Sequence, residues 1–193
     1  MITSSGIDRV ANDDADQIEV EAEGLSENVE PRTRRMRFKL RPGDDDFLQA
    51  APQRQVSVFE IPQPADRVWA ELTSDETLRW CRALSGVIWT STRPFGVGTT
   101  RTVTARPRAL ALNEVYFRWD EGRRKSFYVS ETTLPLFRCF VEDYLIEEIS
   151  PPSCRFTWTV ASEAPLVARP GNLINALITR SLFRHTRHHF DAT

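Results

Sequence analysis

The sequence predicts an α+β fold in which a curved antiparallel β-sheet closes over a long C-terminal α-helix. Three observations lead there: two short helical patterns near residues 64–81, some 75 residues of consecutive strands after them, and an amphipathic helical stripe at the end of the chain. Strands that follow one another through short turns pair antiparallel, because parallel neighbours need crossover connections. At 193 residues the chain has room for one core and an appendage.

The appendage lies at the start. Residues 1–50 carry twelve acids against seven bases, and the remainder carries fifteen against eighteen. Residues 1–30 hold nine Asp/Glu and few large apolar side chains, too few to offset roughly 1–2 kcal/mol per residue of backbone ordering. Residues 1–33 are therefore expected to form an acidic, disordered tail. Residues 35–41 alternate basic and apolar side chains, the period of a half-buried strand. Residues 34–51 are read as an extra strand and linker, and 52–193 as the folded domain. If Val115, Phe117 and Trp119 face outward, Met36, Phe38 and Leu40 are the candidate cover for them, with their neighbouring bases near Glu142, Glu147 or Glu148.

The first strand of the domain covers about 55–61. Pro62-Gln63-Pro64 stops it and opens a helix bearing Val68, Trp69 and Leu72 on one face. Ser74 or Asp75 then caps a second short helix containing Leu78, Trp80 and Cys81. Six strands follow at about 86–93, 99–106, 109–119, 125–132, 138–149 and 153–161. Their breaks are turn residues such as Asp120-Glu121-Gly122 and Ser150-Pro151-Pro152-Ser153. Pro170-Gly171 breaks the chain, Asn172 serves as a cap, and Ile174, Leu177, Ile178, Ser181, Leu182 and His185 share a stripe. That helix, about eighteen residues or 27 Å long, crosses a whole sheet face.

Ile61-Pro62-Gln63-Pro64-Ala65-Asp66-Arg67-Val68-Trp69, Leu78-Arg79-Trp80, Gly96-Val97-Gly98-Thr99-Thr100-Arg101 and Phe156-Thr157-Trp158-Thr159 resemble the START-like, or SRPBCC, superfamily. The closest texture is its polyketide cyclase/dehydrase branch, over about residues 52–190. The resemblance implies the helix-grip fold, with two short helices after the first strand and a cavity between sheet and C-terminal helix. It also implies a cavity-mouth position for the Gly96–Gly98 loop. It implies no single activity, since a fold hosts many.

Composition excludes several classes. The arginines are scattered, so no nucleic-acid partner is implied, and 23 Arg against Lys39 and Lys125 alone fits high-GC bacterial codon usage. Cys81, Cys139 and Cys154 are odd in number without CxxC spacing, which points to free thiols and not to a disulfide framework or zinc site. With no signal-like segment and no long apolar run, a cytoplasmic protein lacking an integral membrane segment is expected. Gly96-x-Gly98 lacks the helix and third glycine of a dinucleotide site, so no cofactor is expected. His185 and His189 stand four apart on the last helix, where a helix C-terminus explains them better than a metal.

The strand at 109–119 offers two faces. Polarity alone sends Val115, Phe117 and Trp119 inward, whereas the family texture puts Tyr116 in the cavity wall, and with it Glu114 and Arg118. The alternative for that polar face is a solvated surface with a cross-strand ion pair. Arg101 is a second anion partner, and Trp89, Tyr128, Tyr144, Trp158 and Leu177 are candidate apolar lining. The leading function is binding of a small hydrophobic or amphipathic ligand in the internal cavity. A polyketide cyclase- or dehydratase-like enzyme using polar cavity residues is one alternative, and a protein-interaction module with a filled core is another.

Overall fold

The computed structural model describes residues 36–106, 110–165 and 169–192, with the side chains of 169–175 left out; the expected tail at 1–33 lies outside the described residues. The elements run β1 (Phe38–Lys39), α1 (Asp45–Ala50), β2 (Gln53–Ile61), α2 (Ala65–Leu72), β3 (Leu84–Trp89), β4 (Thr100–Ala105), β5 (Leu110–Asp120), β6 (Arg124–Thr132), β7 (Cys139–Ser150), β8 (Ser153–Glu163) and α3 (Arg169–Asp191). Strands β3 to β8 form an antiparallel meander. β2 pairs with β8, so the sheet order is β2-β8-β7-β6-β5-β4-β3.

One side chain from each neighbouring strand builds a row across the concave face. Phe59 of β2 stacks on Phe156 of β8, and Phe156 meets Tyr144 of β7. Tyr144 meets Phe127 of β6, and Phe127 meets Tyr116 of β5. Centroid separations of 5.0–5.6 Å along this row lie in the favourable range for aromatic pairs. α3 lies over it, with Phe183 edge-on to Phe59 and Trp158 and with Leu182 and Phe190 buried.

Local chemistry shifts two expected helices. The predicted second short helix is instead a run of turns over residues 74–83, closed by bonds such as Thr77 N–H to the Ser74 carbonyl and Cys81 N–H to the Leu78 carbonyl. Leu78 interrupts the spiral, because its φ of 59° is left-handed and breaks right-handed helix geometry. The C-terminal helix starts at Arg169 and has 23 residues, so it runs through Pro170-Gly171, and Asn172 lies inside it instead of capping it. Proline is compatible with a first helical turn, where its missing N–H has no intrahelical partner to lose.

The N-terminal cover also differs from expectation. β1 is two residues long and does not lie over the sheet; it pairs along the edge of β6, Phe38 opposite Thr132 and Lys39 opposite Glu131. β7 pairs with β6 only from Arg124 to Tyr128, so β1 takes the partners that β7 leaves. Met36 is exposed and Leu40 enters the main core. The outside is covered instead by α1, whose Phe47 and Leu48 pack on Cys139, Val141 and Ala161, flanked by Phe117 and Tyr128. Asp44 caps this short helix by accepting from Phe47 N–H at 3.0 Å. Gly43 permits the approach, since a Cβ there would stand 2.2 Å from Val141 Cγ2.

Phe47→Ala should therefore lower the unfolding free energy by about 3 kcal/mol through loss of the outer cluster. Urea denaturation measures it, and an unchanged midpoint would show that α1 does not brace the sheet.

Candidate functional site

Between the concave face and α3 the structure leaves a cavity. Its apolar walls include Leu78, Leu84, Val103, Leu112, Phe140 and Leu182, and Arg101, Glu114, Glu142 and Tyr144 supply its polar side. The volume open to the centre of a water-sized sphere is about 40 Å³. One water takes roughly 10–15 Å³ by that measure, so the space suits a few waters or the slim end of a ligand.

The polar side is a buried charge cluster. Arg101 of β4 stands opposite Glu114 of β5 in the sheet register, and its Nε donates to Glu114 Oε2. Both are shielded from solvent. Burial opposes the charge on Arg101, but Glu114, Tyr116 and Tyr144 outweigh it and hold the guanidinium charged. Burial raises the Glu114 carboxyl, and Arg101 pulls it back toward the charged form. We take the pair as ionised, because the guanidinium bonds the carboxylate directly. The guanidinium also lies over the Phe127 ring, 4.7 Å from its centroid.

Glu142 of β7 completes the group. Burial, then repulsion from Glu114, push its carboxyl up to about 8, with Arg101 and the Trp158 N–H acting the other way. That indole donates to Glu142 Oε2 at 2.9 Å. The Tyr144 hydroxyl lies near enough to favour the Glu142 anion but is buried without completing a hydrogen bond, and Arg101 Nη1 likewise meets no acceptor. Two residues of the lining, beside Glu114 and Glu142, thus carry a buried donor without a completed hydrogen bond, at roughly 1–3 kcal/mol each.

Lys125 of β6 is fully buried outside the cavity lining. Its Nζ donates to the Leu72 carbonyl at the C-terminal end of α2, a favourable place for a cation. The rings of Trp69, Trp89, Trp119, Tyr116 and Tyr144 surround it at 5.2–5.9 Å. Burial and then Arg101 hold this amine well below its ordinary value.

Of the expected ligand contacts, Arg101, Glu114, Tyr144 and Trp158 line the cavity. Trp89 and Tyr116 belong to the main core beside it, with the Trp89 indole donating to the Ser74 carbonyl at 2.9 Å. Three expectations are corrected. A β-bulge between Tyr116 and Arg118 resets the alternation: Tyr116 and Trp119 both face the core, and Arg118 turns outward to pair with Asp45 of α1. Tyr128 follows the buried Phe127 on its strand and so faces the convex side, against the α1 cluster. Leu177 is 65% exposed, because α3 points Thr179, Leu182, Thr186 and Phe190 inward.

Glu142 was missed as a site residue: it faces the cavity and not the bases of β1. Its signal lay in strand parity, since Phe140, Glu142 and Tyr144 alternate on one face of β7. Neither Gly96 nor Gly98 is in the lining. His189 bonds Glu71 at 2.6 Å and stacks on Trp80. No group of metal-ligating side chains occurs among the described residues, and no described helix is long and apolar enough to cross a membrane.

A curved antiparallel sheet gripping a long terminal helix over an internal cavity defines the START-like, helix-grip class. Solved structures agree. A START superfamily protein from Mycobacterium smegmatis superposes with a TM-score of 0.59 at 10% identity, over 72% of this chain and 97% of that one. A major latex-like protein from Panax ginseng gives 0.54 at 15% identity, over 72% and 97%. Residues 53–186 match the family described as polyketide cyclase / dehydrase and lipid transport, and the chain belongs to that family. Uncharacterised proteins of Mycobacterium tuberculosis and Mycobacterium bovis are 36% identical to it over 152 residues, 76% of this chain and 89% of theirs.

Two measurements probe the cluster. Arg101→Met should cost about 3–5 kcal/mol by stranding Glu114, and Arg101→Met/Glu114→Leu should recover most of it; a double variant no more stable than the single one rules out an ion pair of this kind. Glu142 has a folded value above its unfolded one, so its contribution to stability falls as pH rises from about 4.5 to about 8. Lys125, shifted down, acts in the opposite sense. The wild-type-minus-Glu142→Gln stability difference isolates the carboxyl and should decline across that window; a flat difference would place Glu142 in solvent-like surroundings.

Proposed function

We propose that the protein reversibly binds a small amphipathic molecule in the cavity between sheet and α3, apolar body toward Leu112, Phe140 and Leu182 and polar end at Arg101 and Tyr144. The supporting observation is the pair of buried donors without a completed hydrogen bond, Arg101 Nη1 and the Tyr144 hydroxyl, on residues that line the cavity. A ligand oxygen accepting from both would recover their desolvation cost, and ligand sites commonly pair apolar walls with a few placed polar groups. The modest volume favours a slim ligand or one that displaces part of the α3 side. Family membership supports the same reading.

A second reading rests on Glu142. A carboxyl pushed up to about 8 exchanges protons near neutral pH, which suits a general acid or base in a cyclase- or dehydratase-like reaction. Native mass spectrometry of protein purified from its own host should reveal a retained small molecule, released or weakened in Tyr144→Phe. Ligand-free protein in every preparation would count against binding. With the ligand in hand, a Glu142→Gln variant that binds it but no longer converts it would select the enzyme reading.

A further inference from the structure

The cavity has a neighbour. On the other side of the 74–83 turns lies a surface groove bordered by Glu76, Arg79, Gly86 and Arg106, with about 220 Å³ open to water-sized centres against about 40 Å³ inside. Two residues line both spaces, Leu78 and Leu84. They form the partition between the polar groove and the mainly apolar cavity.

This partition is built to yield. Leu78 is the one non-glycine residue with positive φ among those described, at 59°, a conformation unfavourable for a branched side chain. Strained backbone persists where its surroundings hold it, and it concentrates at clamps and switches. Here the surroundings are turns: Leu78 sits between the bonds Thr77 N–H to Ser74 and Arg79 N–H to Glu76, outside any helix or strand. Leu84 stands at a register irregularity where β3 meets β4. Both halves of the partition thus lie where regular hydrogen bonding is interrupted.

We propose that Leu78 and Leu84 are the doorway of the cavity, that ligand passes from the groove between them, and that their side chains limit the cross-section admitted. When Leu78 relaxes to a right-handed backbone its side chain leaves the partition and the two spaces join. The proposal rests on the cavity being the binding site. It adds a route and the residues that set ligand width.

Stopped-flow fluorescence with 2-naphthol tests it on three full-length proteins. Gly86→Phe sets a ring on the groove wall at a residue outside the cavity lining, where nothing lies within 4 Å of a Cβ and φ is not positive. It should slow association and dissociation alike, by about tenfold, with little change in affinity. Leu78→Gly removes both strain and side chain, and should speed both rates by a similar factor. Binding with wild-type rates in Gly86→Phe overturns the doorway and leaves the cavity site standing, even if Leu78→Gly is merely less stable. No binding of 2-naphthol by the wild-type protein overturns the doorway and the cavity site together.

Discussion

A sheet this curved buries its concave face only if something lies across it, and α3 is that something. Burying apolar surface contributes roughly 25 cal/mol per Å², so the helix face that meets Phe59, Trp158 and their neighbours carries much of the stability. Thr186 accepts from the Trp80 indole at 3.1 Å, and the Arg187 guanidinium donates to the Val58 carbonyl at 3.2 Å. These bonds tie the C-terminal half of α3 to the 74–83 turns and to the edge strand. The cavity is the part of the concave face that helix and turns do not fill, and its polar side is set into the sheet wall.

That placement makes the charge cluster costly to build and resistant to loss. The sheet register, not a loop, holds Arg101 against Glu114, so the geometry is as rigid as the strands. Breaking one partner leaves an uncompensated charge in a poorly solvated place, whereas replacing both with apolar groups can be nearly neutral. A protein needing only a dry core has no use for such a pair. Its position beside two buried donors without a completed hydrogen bond is the physical reason for proposing the cavity as a site.

Much of the architecture was legible because it rests on periodicity and turn chemistry. The strands from Leu84 to Glu163 lie close to their expected places, since alternation and Gly/Pro breaks are local signals. What escaped depends on distant geometry. The bulge before Arg118 turns one side chain out and the next in, with no mark in the sequence. Thr179 and Thr186 face the core although their polarity argues for the surface; the Thr186 hydroxyl finds the Trp80 indole there. Lys125 reads as a surface lysine and is fully buried, held by the Leu72 carbonyl and an aromatic surround that no local pattern announces.

The short helix α1 has a mechanical meaning beyond its packing. By packing on the convex side of β7 and β8, it leaves those strands covered on both faces, since Tyr144, Phe156 and Trp158 carry the core on the other. On the proposed reading, a guest in the cavity would meet the least give in that direction. Expansion around it would then fall to the opposite shell, among the turns and α3, as in a vise with one fixed jaw and one that travels.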